Sequence, residues 1–177
     1  MKKVLAAVIT SCLLPLASLA AHAGEPTKIA FVDTGNTGRS VTAEALANAA
    51  IGEKKLHIAV ISRAADYDPY DTKPEANAAT LLMQRGLDVS AHQAAPLTPN
   101  DVRHSDLILT MTAKHKSKVI EQYPEAKAKI FTIAEYATGE SKDVDDAWGK
   151  PMETYVKMIK QVDQYVALTL EKAPNPK

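Results

Sequence analysis

The chain has 177 residues, 46% hydrophobic and 24% charged, with 21 basic against 21 acidic side chains. That length fits one domain, and that mix excludes wholesale disorder, collagen and coiled coil. Zero net charge argues against a nucleic-acid binder that works through a strong basic field, and one cysteine excludes an internal disulfide framework or a thiolate zinc cluster.

Lys2 and Lys3 precede an apolar stretch from Val4 to about Ala20, and Ala21-His22-Ala23 offers a small-x-small cleavage site. Residues 1–23 therefore read as a signal peptide and 24–177 as a single mature domain. A membrane anchor fits less well, because the stretch is Ala-rich, contains Pro15 and lacks flanking charges after it. A lipoprotein reading around Cys12 fails because too few apolar residues precede that cysteine. Cleavage removes two lysines and the only cysteine. A thiol-free mature chain, without a membrane span, suits a periplasmic or secreted location.

Strand and helix signals then alternate. Lys28–Val32 is a short apolar run that reads as a buried strand. Ser40 to about Ile51 carries Val41, Ala45, Leu46 and Ala49 on one helical face. Leu56–Ile61 is a second strand. Thr72-Lys73-Pro74-Glu75 reads as a capping box with an early-turn proline, opening a helix that stops near Gly86. Asp106–Met111 is a third strand, Ala113–Tyr123 a helix and Lys129–Ile133 a fourth strand. From Pro151 to Lys172, Met152, Tyr155, Val156, Ile159, Val162, Val166 and Leu170 follow helical spacing. Residues 173–177 read as a frayed end. Four β-then-α units predict an α/β fold, an open parallel sheet with helices on both faces. Ligands in such sheets bind beyond the carboxyl ends of the strands.

The loop after the first strand carries the chemistry. It reads Asp33-Thr34-Gly35-Asn36-Thr37-Gly38-Arg39-Ser40. Gly35 and Gly38 are expected to allow unusual φ and close approach to a ligand. Consecutive N–H groups and a helix start make an anion cradle, to which Arg39 adds a planar charged fork. No Gly-Lys-Ser/Thr follows, so this is not a nucleotide P-loop. The plain alternative is an ordinary βα turn with a surface arginine.

The run Ile29-Ala30-Phe31-Val32-Asp33-Thr34-Gly35-Asn36-Thr37-Gly38-Arg39-Ser40-Val41-Thr42-Ala43-Glu44-Ala45 resembles the opening of the low-molecular-weight protein tyrosine phosphatases. That family begins with a strand, Cys-x-Gly-Asn-x-Cys-Arg-Ser and then x-x-Ala-Glu. Arg85–His92 resembles the family's Gly-Ile-Asp-x-Ser-x-His stretch, and Asp106–Met111 its third strand. Asp143-Val144-Asp145-Asp146-Ala147-Trp148-Gly149 resembles its Asp-Pro-aromatic-Gly loop, with Tyr155 beyond at the expected distance. The resemblance spans essentially the whole mature chain. It implies a three-layer fold, a four-stranded parallel sheet flanked by helices. It also implies roles: Thr34, Gly35, Asn36, Thr37, Gly38, Arg39 and Ser40 as the oxyanion loop, with Arg39 clamping phosphoryl oxygens. Ser40 would hydrogen-bond the nucleophile, Asn36 would hold the loop shape, Asp146 would protonate the leaving oxygen, and Trp148 would wall the pocket.

The departures are specific. Asp33 stands where the family has its nucleophilic cysteine, Gly38 where it has a second cysteine, and Ala147 where a proline follows the general acid. A carboxylate can attack phosphorus to form an aspartyl phosphate. It would also repel a phosphate dianion by roughly 4 kcal/mol per charge pair at 4 Å and an effective dielectric of 20. Arg39 and the loop N–H groups could offset that. So could a divalent cation such as Mg²⁺ held weakly by Asp33 and Asp146, with Asp143 and Asp145 nearby; a solvated acidic loop is the plainer reading of that cluster.

A haloacid-dehalogenase reading fails because Gly35 replaces the second aspartate of Asp-x-Asp-x-Thr. His57, His92, His104 and His115 lack ligand spacing and read as structural or surface residues. Tyr67-Asp68-Pro69-Tyr70 either borders the pocket mouth or forms a plain turn. Two functions follow. One is an exported phosphomonoesterase with Asp33 in place of the thiol. The other is a pseudophosphatase that binds a phosphorylated small molecule, a phosphoprotein or a free oxyanion, in which Asp33 and Arg39 could form an ion pair that closes the site.

Overall fold

The computed structural model describes residues 24–175, so the expected signal peptide lies outside the described residues. The elements are β1 (Thr27–Asp33), α1 (Arg39–Lys54), β2 (Ile58–Ala64), α2 (Ala76–Gln84), α3 (Pro99–His104), β3 (Leu107–Thr110) and α4 (Ala113–Gln122). A 3₁₀ turn (Pro124–Lys129), β4 (Ile130–Thr132), α5 (Ile133–Thr138) and α6 (Met152–Lys172) complete the chain. The sheet order is β2-β1-β3-β4, and every pairing is parallel. Among the described residues no helix is long and apolar enough to cross a membrane.

The two-residue period of β1 explains the layers. Ile29 and Phe31 point into one core with Leu46, Leu82, Ile133, Ile159 and Val162, under α1, α2, α5 and α6. Ala30 and Val32 point into the other, with Val102, Ile108, Val119 and Ile130, under α3, α4 and the 3₁₀ turn. Both faces of the sheet are covered, so Ile29–Val32 of β1 and Leu107–Leu109 of β3 are continuous apolar runs, as buried parallel strands require. From β1 the chain passes to β2 on one side and later to β3 on the other. The crevice above the carboxyl ends of β1 and β3 is therefore where the strand order reverses.

The expected helices and strands are present, with shifted ends and three omissions. Short α3 and α5 were not foreseen, although both carry capping boxes, Thr98 with Asp101 and Thr132 with Glu135; nor was the 3₁₀ turn. The capping box expected at Thr72 does not form. Pro74 disfavours helix in the residue before it, α2 starts only at Ala76, and Glu75 makes no side-chain cap. The Thr72 hydroxyl donates to Gln93 Oε1 instead (3.2 Å). On α6 Val156 is half exposed, while Met158, Tyr165 and Thr169 are buried, so the stripe turns slightly from its expected line. The tail is also tied down as far as Asn175. Thr27 Oγ1 donates to the Pro174 carbonyl (2.6 Å), and the His57 N–H donates to Asn175 Oδ1 (2.7 Å).

Candidate active site

Asp33 ends β1 at the reversal point and is 3% exposed. Its two carboxylate oxygens are each held by the loop that follows. The Asn36 N–H donates to Oδ1 (2.6 Å) and the Ser40 N–H to Oδ2 (2.8 Å). Charge-assisted bonds of this length are stronger than neutral ones and pin the carboxylate inside the curl of the loop. The N–H groups of Gly35, Thr37 and Gly38 have no acceptor among the described residues. An incoming oxyanion could therefore still be bound.

Asn36 is the keystone of the loop. It is fully buried and takes φ +60°. Its Nδ2 donates to Ser40 Oγ (3.0 Å) and Ser62 Oγ (2.8 Å), and its Oδ1 accepts from the Ala95 N–H (3.1 Å). Its carbonyl lies 2.9 Å from His92 Nε2. The Ser62 hydroxyl in turn donates to Glu44, which leaves its oxygen free to accept from Asn36. The expectation that Gly35 and Gly38 supply the unusual φ is thus corrected. Neither has positive φ; Asn36 does. Asparagine tolerates that region because its short amide bonds locally.

Gly38 is needed for a different reason. A Cβ there would lie 2.2 Å from Glu75 Oε1. Glu75 is anchored to the loop by its N–H, which donates to the Thr37 carbonyl (2.8 Å). Its Oε2 accepts from the hydroxyl of buried Tyr155 (2.6 Å). Burial raises the Glu75 carboxyl above its ordinary value, and the charges of Asp33 and Asp146 push the same way against the Tyr155 bond and Arg39. The Tyr155 hydroxyl is pushed up to about 12 by burial and by Glu75. Sequence reading missed Glu75 by treating it as a helix cap.

Arg39 is buried but loosely held. It donates to the Val144 carbonyl and to Asp146 Oδ2, both at 3.4 Å. The anticipated Asp33–Arg39 ion pair does not form; Arg39 pairs with Asp146. Contacts this long leave most of the five guanidinium donors available. The Asp146 side chain is 57% exposed, and its Oδ1 accepts from the Trp148 N–H (3.2 Å). Trp148 is 68% exposed at the pocket edge.

These groups surround a cavity of about 310 Å³. Asp33, Thr34, Gly35, Thr37 and Arg39 form its floor, with Asp66, Asp68, Asp71, Glu75, Asp146 and Trp148 around them. Asn36, Gly38 and Ser40 support the floor from behind and do not line it. Of the tyrosine-bearing segment 67–70, only Asp68 lines the cavity. The expected acidic cluster is dispersed. Asp143 Oδ1 accepts from the Ala113 N–H (2.7 Å), and no group of three or more metal-ligating side chains exists among the described residues. A weak divalent site would thus rest on Asp33 and Asp146 alone, and each already accepts hydrogen bonds.

His115 lies beneath the floor. Its Nε2 is 2.8 Å from Thr34 Oγ1, and its Nδ1 is buried without a partner. Burial, then the charge of Arg39, lowers it to about 4, so it is neutral near pH 7.

The profile of the family described as low molecular weight phosphotyrosine protein phosphatase matches residues 28–173. A protein-arginine-phosphatase of Bacillus subtilis (strain 168) is 35% identical over 127 residues, 72% of this chain and 83% of that protein. A low molecular weight protein tyrosine phosphatase from T. tengcongensis superposes with a TM-score of 0.79 at 34% identity, covering 83% of this chain and 99% of that one. The YwlE arginine phosphatase, as a cysteine-to-serine mutant with a phosphorylated active site serine, superposes with a TM-score of 0.78 at 30% identity, covering 82% and 94%. On this match of profile, sequence and fold, the chain belongs to the low molecular weight phosphotyrosine protein phosphatase family.

Proposed function

We propose that this protein is an exported phosphatase that removes phosphoryl groups from protein side chains, with Asp33 accepting the phosphoryl group in place of a thiolate. The observation that carries this reading is the seat of Asp33. It lies at the carboxyl end of β1, inside a loop whose N–H groups at Gly35, Thr37 and Gly38 have no acceptor among the described residues. A side-chain oxygen can serve in this fold, since a YwlE arginine phosphatase mutant carries a phosphorylated active site serine.

The walls favour one substrate class. Six carboxylates and one guanidinium line the cavity. A field of that sign disfavours ligands that are only anionic and draws in those with a cationic part. Phosphoarginine meets this condition, because its guanidino group carries a positive charge beside the phosphoryl group and leaves as guanidinium once the P–N bond breaks and the nitrogen is protonated. Two relatives are named protein-arginine-phosphatase. The sequence reading expected a phosphomonoester; a phosphoguanidino substrate carries a P–N bond instead, so this proposal departs from that expectation.

Phosphate release from two peptides of one sequence, phosphorylated on arginine or on tyrosine, tests this. The phosphoarginine peptide should be hydrolysed faster, with or without Mg²⁺. Faster release from the phosphotyrosine peptide would overturn the substrate class. Export would give protein that begins at Gly24 in a periplasmic fraction, whereas a retained Met1 on cytosolic protein would contradict it.

One observation favours a second reading. Both oxygens of Asp33 already accept N–H bonds, which lowers their reactivity. A pseudophosphatase would then bind phosphorylated ligands without turnover. Tight binding of the phosphoarginine peptide with no phosphate release would support it.

A further inference from the structure

Glu75 stands at the N-cap of α2, where a short polar side chain commonly accepts bonds from its own helix. It makes none. Its side chain turns away into the cavity that holds Asp33, Arg39 and Asp146. Three features fix it there. Its N–H is bonded to the Thr37 carbonyl, the Tyr155 hydroxyl donates to Oε2, and Oε1 fills the space left by the missing side chain of Gly38. A cysteine at position 38, as in the family pattern, would collide with this carboxylate. Asp146, by contrast, is exposed and already paired with Arg39.

We propose that Glu75 is a catalytic residue of this pocket, giving a proton to the leaving atom and later taking one from the attacking water. This rests on the hydrolase reading above. An Asp33 oxygen forms a bond to phosphorus as the P–N bond breaks, and the nitrogen receives the Glu75 proton, so a guanidinium leaves. Water then attacks the phosphorus of the aspartyl phosphate and gives a proton to the Glu75 carboxylate. The P–O bond to Asp33 breaks, and phosphate departs. The groups facing Glu75 are Asp33 from β1, Arg39 from α1, Asp146 from the loop before α6 and Tyr155 from α6. Burial and the two aspartates favour the protonated form, as a proton donor requires.

Two measurements on Glu75→Gln test this. Hydrolysis of the phosphoarginine peptide should fall roughly a hundredfold, the low end for loss of a general acid. The initial burst of p-nitrophenol released from p-nitrophenyl phosphate, before any water attacks, should slow far less, because that leaving group departs without a proton. Equal losses, or none, would overturn the proposal. The second measurement is sulfate binding by calorimetry at pH 5 and pH 8, where sulfate keeps its charge. The advantage of Glu75→Gln over wild type should grow from pH 5 to pH 8, towards roughly tenfold once the wild-type carboxyl carries its repelling charge. Identical affinities at both values, or no binding by either protein, would overturn the proposal. Wild-type protein that releases no phosphate sinks the hydrolase reading and the catalytic role with it. Sulfate binding that still depends on Glu75 would then place the residue in a recognition site. If Glu75→Gln does not fold, Tyr155→Phe serves, because losing its hydrogen bond raises the pH at which sulfate affinity falls; an unchanged pH profile would overturn the role.

Discussion

The loop after β1 and the loop before α6 face each other across one cavity, and they are built differently. In the first, Asn36 is fully buried with partners on Ser40, Ser62, Ala95 and His92, and both Asp33 oxygens are held. In the second, Asp146 and Trp148 are exposed, and the link to Arg39 is 3.4 Å long. The loop after β1 keeps its shape because side chains hold it from behind. The opposing loop is anchored only at its base, where Asp143 accepts from the Ala113 N–H, Val144 is bonded to Met111 and Gln161 bonds to residues 143 and 145. Asp146 and Trp148 at its tip are therefore the part that can adjust to a ligand.

The largest test of this contrast is Asn36→Ala. It removes three side-chain hydrogen bonds and leaves alanine at φ +60°. Stability should fall by roughly 4–5 kcal/mol in urea unfolding, at about 1 kcal/mol per bond plus the left-handed backbone penalty. Asp146→Asn should change stability by less than about 0.5 kcal/mol, as expected for an exposed carboxylate whose contact with its partner is long. Equal losses in the two variants would erase the distinction.

His115 supports the first loop and gives it a pH dependence. Its folded-state value is lowered from 6.5 to about 4, so the unfolded chain takes up the proton first as pH falls. The stabilisation is complete above about pH 6.5 and is lost as pH falls towards 4, reaching about 3 kcal/mol. Stability curves of wild type and His115→Asn should therefore converge through that window. A constant difference across it would contradict the assignment. A smaller effect belongs to the ligand. Arg39→Ala should weaken sulfate binding by roughly 1.5–3 kcal/mol, the range for bonds to charged groups. Unchanged calorimetric affinity would mean that the guanidinium does not reach the anion.

The sequence made the β1 loop legible because its residues are contiguous and each type has a local reason to be there. The parallel sheet was equally readable from alternating apolar runs and long connections. Glu75 was not, because its partners Gly38 and Tyr155 lie 37 and 80 residues away and Pro74-Glu75 imitates a helix start. The supports of Asn36 were hidden for the same reason. Ser62 reaches it from β2, and His92 and Ala95 from the loop before α3, and only the folded sheet edge brings them together. The acidic walls were seen in part, as residues 143–146, but Asp66 and Asp71 come from the loop after β2.

The central claim is that Asp33 accepts the phosphoryl group. Phosphate release from the phosphoarginine peptide by wild type, Asp33→Asn and Asp33→Cys tests it most directly. Wild type should turn over, and Asp33→Asn should release nothing while binding sulfate at least as tightly, since it loses a repelling charge and keeps the shape. Turnover by Asp33→Cys alone, with a silent wild type, would contradict the claim and leave a recognition module on a phosphatase scaffold.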